Sequence, residues 1–340
     1  MIISTCGYGN SGSSAVLDFL KGYGNASMAR DFEFQLIHMP DGLLDLKYNL
    51  VQNRDRLAGN AAILRFLRLS DSIFASSLKK SGCDYALLAE EFINSLCPIS
   101  WNGKSAFDPA DISGIRQNSV YGRISRNIYA IMRRISPDIA SMQFKKRYFL
   151  TLDEDDFDSK AKIFLKKIFS SMGYDSGKDM LFDQLVPAAD PRAGTEFIDE
   201  NKIIVIYRDP VDLFIRANTH QATNAYFPCA DVKQFTEYYK MIMKYSVKYD
   251  KALYMQYEDL IYNYYPATQK IMDFLGYKER PENEFKYFNP DISVKYTKAD
   301  IKYPGYDKEI AYIKQNLSEY LYSFPERYSP VSEQKKNCGA

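Results

Sequence analysis

"KIIVIYRDPVDLFIRA", residues 202–217, is the plainest structural unit in the chain. Residues 203–207 form a short, nearly unbroken apolar run, the pattern of a strand buried on both faces of a parallel sheet. A helix is expected to start near Pro210, because proline fits the first turn, where its missing N–H costs nothing. The same strand-then-helix order opens the chain, with a strand over residues 2–6 and a helix over 13–20. It returns near the end as the strand "KALYMQYEDLI" and the helix "YPATQKIMDFLGY", which closes on Gly276. Alternation at both ends predicts an α/β fold, a central parallel sheet flanked by helices.

Between these ends, residues 27–37 read as a second strand, with Asp31 and Glu33 on one face and Phe32 and Phe34 on the other. Residues 42–148 carry apolar residues three and four apart, as in "AILRFLRLSDSIFASSL", "YALLAEEFINSL" and "GRISRNIYAIMRRI". They are expected to form a helical insertion. "DEDDFDSKAKIFLKKIFSSMGY" predicts a helix with an acidic start and a stop at Gly173. "KDMLFDQLVP" reads as a strand ending in a polar loop, and residues 304–323 as a tyrosine-rich helix. The expected organisation is one domain over 1–330 and a flexible tail over 331–340.

The chain has 340 residues, 46% apolar and 26% charged, with a formal net charge of +1. So balanced a charge leaves no general drive to bind nucleic acid. The five cysteines, at 6, 83, 97, 229 and 338, form no C-x-x-C pair, so neither a disulfide framework nor a zinc site is expected. No apolar run approaches the ~20 residues of a membrane helix, and no signal segment precedes the first strand. A cytoplasmic protein without a transmembrane segment is expected.

The loop in "CGYGNSGSSAVLDFL", residues 6–20, sits where a parallel sheet binds phosphate. Backbone N–H groups there point into one concavity, and the following helix adds its positive end. Gly7, Gly9 and Gly12 permit the tight path, and Ser11, Ser13 and Ser14 supply hydroxyl donors. Gly7 and Gly12 match the nucleotide-kinase loop G-x-x-x-x-G-K-[ST], but Ser13 stands where its lysine belongs. The dinucleotide pattern G-x-G-x-x-G also matches, without a clean ribose-binding acid downstream.

"YGNSGSS" resembles the 5′-phosphosulfate loop of sulfotransferases that use 3′-phosphoadenosine 5′-phosphosulfate (PAPS). "IIVIYRDPVDLF" resembles their second signature, a strand ending in Arg-Asp/Asn-Pro-x-Asp. "YMQYEDLIYNYYPATQKIMDFLGY" resembles the segment that closes their core, and the three follow the family's order. The resemblance covers about residues 1–37 and 180–277. It implies that Gly9, Asn10, Ser11, Gly12, Ser13 and Ser14 hold the phosphosulfate and that Arg208 binds the 3′-phosphate. A salt bridge from Arg208 to Asp209 or Asp212 is the structural alternative. Arg216 occupies the place of a family serine on the 3′-phosphate, with Asn218 and Thr219 as substitutes. Asn10 stands where the family carries a lysine or arginine, which makes Lys295, Lys298, Lys302 and Arg216 candidates for the missing cation. Glu258 and Asp259 are expected to buttress the loop.

Related enzymes place the general base on the second strand, where Glu33 lies, or before a Leu-Pro turn, where Asp183 and Gln184 lie. His38, just after the second strand, is a further candidate; His220 falls at neither place. Trp101 and the tyrosines could floor an acceptor pocket. The implied reaction moves a sulfuryl group from PAPS to a hydroxyl-bearing acceptor, without a metal. The acceptor is a glycan or surface polysaccharide, as for bacterial members, or a sterol- or phenol-type alcohol. A nucleotide-binding protein without turnover and a small-molecule kinase are the alternatives.

Overall fold

The computed structural model describes residues 1–24, 26–103, 145–175, 177–219 and 226–337, together with 127–128, 130–132 and 134–135. The chain divides into two compact units: Met1–Gln35, Tyr174–Thr195 and Asp199–Ala340 form the first, and Leu36–Gly173 with Glu196–Ile198 the second.

The first unit is built on five strands, β1 (Ile2–Gly7), β2 (Ala26–Glu33), β3 (Asp179–Asp183), β4 (Asn201–Tyr207) and β5 (Ala252–Gln256). Their order is β2-β3-β1-β4-β5, and every pairing is parallel. The apolar run read from the sequence becomes β4, next to the centre. Ile204 and Ile206 pack into one core with Val16, Phe19 and Ile271, while Ile203 and Val205 pack into another with Cys6 and Val186. Alternate residues therefore serve opposite faces, as a sheet covered on both sides requires.

Helices α1 (Ser13–Leu20), α2 (Pro210–Thr219), α3 (Val232–Tyr245), α4 (Tyr264–Leu275) and α5 (Asp307–Asn316) belong to this unit. Gly276 caps α4 at φ 80°, a conformation that favours glycine. From β1 the chain crosses to the β2–β3 side, and from β4 it moves to β5 on the other. The order thus reverses at the β1–β4 border, where open parallel sheets bind ligands at their carboxyl ends.

Three expectations are corrected here. β2 ends at Glu33 rather than running to residue 37, because its partner β3 ends at Asp183, opposite Glu33 across a register shift. The last long helix covers Asp307–Asn316, with a separate 3₁₀ turn at Ser318–Tyr320. Val331–Asn337 is a helix and not a loose tail. Its Gln334 is buried, accepts from Tyr264 N at 2.9 Å and donates to Ile261 O at 3.0 Å.

The second unit contains helices Arg56–Arg68, Ile73–Lys80, Tyr85–Leu96 and Glu154–Ser171. Asp55, Ser72 and Asp84 cap the first three through their side chains. The core holds Phe66, Tyr85, Phe92 and Phe164, with the Phe92 and Phe164 rings stacked 4.6 Å apart. Lys47 is buried among Glu154, Asp158 and Glu196 at 2.9–3.0 Å. Trp101 is exposed and meets Phe149 edge-on. Half of "GRISRNIYAIMRRI", His220 and Cys338 lie outside the described residues. Among the described residues no helix is long and apolar enough to cross a membrane, and no cluster of three potential metal ligands occurs.

Candidate functional site

The site grows from the turn between β1 and α1. Residue Gly7 closes β1 where no side chain fits: a Cβ would lie 1.9 Å from Ser11 Oγ and 2.8 Å from Ile206 O. Gly12 takes φ 93°, and its Cβ would meet the Tyr257 ring at 2.4 Å. The loop can therefore lie flat against its surroundings only with glycine at both positions. Asn10 is left-handed at φ 62°, and its Nδ2 is buried without a partner. Ser11 N donates to Tyr8 O at 2.9 Å, which closes the turn ahead of the exposed N–H groups of α1.

The end of β3 fixes this loop from one side. Ser13 Oγ donates to Asp183 Oδ1 at 2.9 Å, and Thr5 Oγ1 donates to the same oxygen at 3.4 Å. Gln184, at φ 57°, donates to Gly7 O at 3.3 Å. Burial pushes the Asp183 carboxyl up to about 6; its bond from Ser13 opposes that rise, and the charge of Glu33 adds to it. Glu33 itself is exposed, receives a hydrogen bond from Gln35 Nε2, and has its pKa raised by the protein packed around it.

From the other side comes Arg208, at the carboxyl end of β4. It is buried, donates through Nη1 to Asn10 O at 3.0 Å and through Nη2 to Tyr296 O, and lies 4.7 Å from the Tyr257 ring centre. Its Nε is buried without a partner. One helical stretch further on, Arg216 stacks 5.3 Å from the Tyr296 ring centre. Burial and the neighbouring Arg208 charge both lower the Arg216 pKa. Among the described residues the arginine salt bridges are Arg65–Asp41, Arg280–Glu284 and Arg327–Glu333, so Arg208 and Arg216 belong to none.

The adjacent acids explain why. Asp209 Oδ1 accepts from Val211 N and Asp212 N at 2.9 and 3.1 Å, while its Oδ2 accepts from Tyr322 N at 2.9 Å. Asp212 accepts from Lys298 N at 3.1 Å and Ala299 N at 2.7 Å, tying down the segment that carries Tyr296. Glu258 Oε1 accepts from Asp209 N at 3.0 Å, and burial pushes its pKa up to about 8. These acids bond backbone N–H groups and form no salt bridge with either arginine, although the Arg208 charge partly offsets the burial-driven rise at Asp212 and Glu258.

A cavity of about 340 Å³ results, lined by residues 9–14, Glu33, Asp183, Arg208, Arg216 and the rings of Tyr257, Tyr287, Phe288 and Tyr296. The candidate lysines lie elsewhere. Lys298 Nζ donates to Pro325 O at 2.6 Å, Lys302 Nζ caps Thr297 O at 2.6 Å, and Lys295 lies beside the Tyr296 ring. Asn218 and Thr219 bond carbonyls of their own helix, Phe214 O and Ile215 O. His38 belongs to the second unit and does not line the cavity.

No family model and no curated protein matches the chain. Solved structures similar to it include the sulfotransferase domain of the Synechococcus PCC 7002 olefin synthase, at 13% identity and TM-score 0.43 over 96% of each chain. The sulfotransferase domain from the curacin biosynthetic pathway is 13% identical, with TM-score 0.40 over 95% of this chain and 98% of that one. Sulfotransferase STF9 from Mycobacterium avium is 12% identical, with TM-score 0.37 over 96% of this chain and 78% of that one.

Sequence reasoning did not single out Tyr257, Tyr287 or Tyr296 for this cavity. Tyr257 reaches the loop by packing its ring where a Gly12 Cβ would lie, a long-range contact with no local sequence signal. Tyr296 had none either: its segment is held by Asp212 and by Arg208 Nη2, contacts across 86 to 88 residues of chain.

Proposed function

We propose that the chain is a sulfotransferase that moves a sulfuryl group from PAPS to a hydroxyl-bearing acceptor. The observation that carries this reading is the pair Arg208 and Arg216, both without a carboxylate partner among the described residues, facing a glycine–serine loop at a helix N-terminus. A ligand with anionic groups at two places suits such a cavity. The buried, unpartnered Arg208 Nε and Asn10 Nδ2 are two donors that a phosphorylated ligand would satisfy.

In this reading Ser11, Ser13, Ser14 and the first N–H groups of α1 hold the 5′-phosphosulfate. Arg208 and Arg216 take the 3′-phosphate, and the tyrosines offer flat faces to the purine. The acceptor oxygen forms a bond to sulfur as the sulfur–oxygen bond to the 5′-phosphate breaks. The departing 3′-phosphoadenosine 5′-phosphate keeps the bonding electron pair, and the acceptor's proton passes to a carboxylate. Glu33 is taken as the base, since it is exposed and accepts one hydrogen bond, from Gln35, whereas Asp183 Oδ1 accepts two that hold the loop. The raised pKa of Glu33 improves it as a base near neutral pH.

Asn10 favours the second reading, a nucleotide-binding protein without turnover, since it brings no charge to the leaving group. Arg216 adds a positive charge to the cavity, but in the sulfotransferase reading it serves the 3′-phosphate, and the leaving group falls to the Asn10 amide and the N–H groups of α1. The two readings separate when the protein is incubated with sulfur-labelled PAPS and a panel of glycans, sterols and phenols. Label on an acceptor supports transfer; tight binding of the desulfated nucleotide with no label transferred supports the second reading.

A further inference from the structure

Tyr8 and Gly9 line the cavity on the side where β1 meets β4, and both touch residues that the donor does not use. The Tyr8 ring stacks on Tyr207 at the end of β4, and Tyr207 stacks on Tyr254 of β5, with ring centres 6.3 and 6.1 Å apart. The Tyr8 hydroxyl also bonds Ser246 Oγ, which fixes the end of α3 beside the loop. Tyr226 packs on Gly9, where a Cβ would lie 2.8 Å from its Cγ. Two exposed rings therefore stand at this rim: Tyr226 is 55% exposed, and Tyr245, next to Ser246, is 69% exposed.

Two lysines accompany them. Lys244 Nζ lies 5.2 Å from the Tyr245 ring centre. Lys248 Nζ lies 4.8 and 4.3 Å from the centres of Tyr207 and Tyr254, and it donates to the Tyr207 hydroxyl at 2.9 Å. Neither lysine forms an ion pair among the described residues. A ring face holds an ammonium group in place without cancelling its charge. Cations positioned in advance lose less side-chain freedom when an anion arrives.

We infer that this rim binds the acceptor, and that the acceptor is an acidic glycan chain. Its carboxylates meet Lys244 and Lys248, and its sugar rings lie on Tyr226 and Tyr245, whose apolar faces and polar tips match a sugar's mixed surface. This rests on the sulfotransferase reading of the cavity. A small alcohol would need an enclosing pocket, whereas the rim is open and suits a chain lying across it. With a net charge of only +1, the protein lacks the general basic excess that nucleic acid requires, so the two lysines make a local anion site.

Calorimetry tests this on the full chain saturated with 3′-phosphoadenosine 5′-phosphate. The probes are a hyaluronan hexasaccharide, which alternates glucuronate with N-acetylglucosamine, the neutral chitin hexasaccharide, and a single-stranded DNA hexamer. The acidic saccharide is expected to bind about tenfold tighter than the neutral one, the scale of 1.4 kcal/mol, with DNA weakest. A Lys244→Gln, Lys248→Gln double variant should erase the margin between the saccharides, and Tyr245→Ala should weaken both. Retained nucleotide affinity shows that each variant is folded. Equal binding of the saccharides, binding of neither, tighter binding of DNA, or a margin that survives loss of both lysines overturns the inference and leaves the donor reading intact. Binding of the acidic saccharide without transfer of label from PAPS overturns its role as acceptor. Failure of the unaltered chain to bind the nucleotide overturns the donor reading instead.

Discussion

Arg208 Nη1 donates to the carbonyl of Asn10 at 3.0 Å, so one side chain joins the end of β4 to the loop after β1. Its second amino group holds Tyr296 O, leaving only Nε without a partner. Arg208 thus shapes the loop as well as charging the cavity. Arg208→Ala should weaken binding of 3′-phosphoadenosine 5′-phosphate by about 2–4 kcal/mol, the cost of removing one partner of a buried charge pair. Calorimetry with adenosine 5′-phosphate, which lacks the 3′-phosphate, should show a smaller loss. Equal losses for both nucleotides would make Arg208 structural only.

Arg216 gives a cleaner test, because among the described residues no hydrogen bond ties its side chain to the backbone, and it lies against the Tyr296 ring. Arg216→Ser should lower affinity for the 3′-phosphorylated nucleotide and leave adenosine 5′-phosphate nearly unaffected. The variant's midpoint in urea should stay equal or rise slightly, since the like charge of Arg208 already disfavours the arginine there. Unchanged affinity for both nucleotides would remove Arg216 from the site.

Glu33 and Asp183 are expected to fail in different ways. Glu33→Gln should reduce turnover by roughly 10²–10⁴-fold with donor binding kept. A base must be ionised to accept a proton, so wild-type turnover should rise with pH through the raised Glu33 pKa, and the variant should lose that limb. Asp183→Asn should instead raise the KM for PAPS, because it weakens the Ser13 bond that holds the loop. A dead Asp183→Asn beside a near-normal Glu33→Gln would move the base to Asp183.

Glu258 makes stability depend on pH. Its carboxyl is buried, with Oε2 unpartnered, and its folded pKa of about 8 stands above the ordinary 4.5. The folded state therefore binds the proton more tightly than the unfolded chain. The associated stability is fully present below about 4.5 and is lost as pH rises towards 8. Urea unfolding at pH 5 and pH 8 should show a smaller loss across this range for Glu258→Gln than for wild type. An identical loss in both proteins would show that Glu258 is ionised throughout.

Strand-loop-helix units were legible because buried strands leave unbroken apolar runs, as in residues 203–207, and because Gly276 marks a helix end. Arg208 was legible as the first polar residue after such a run. The acids around it were not, since a carboxylate that binds backbone N–H, as Asp209 and Asp212 do, looks in sequence like a salt-bridge partner. For the same reason Lys298 and Lys302 looked like spare cations, although carbonyl groups occupy both ammonium groups. The limit of β2 depended on where β3 stops, and the helix at Val331–Asn337 depends on Gln334 finding Tyr264 N and Ile261 O. Such long-range partners leave no local pattern.

In the proposed reading, the cavity between the loop and Arg208 takes a 3′-phosphorylated adenosine nucleotide. Calorimetric titration of the full chain with 3′-phosphoadenosine 5′-phosphate, adenosine 5′-phosphate and magnesium ATP tests it most directly. The first nucleotide should bind with a clear margin over the other two, and that margin should be lost in an Arg208→Ala, Arg216→Ser double variant. Tighter binding of magnesium ATP, or equal binding of all three, would contradict it.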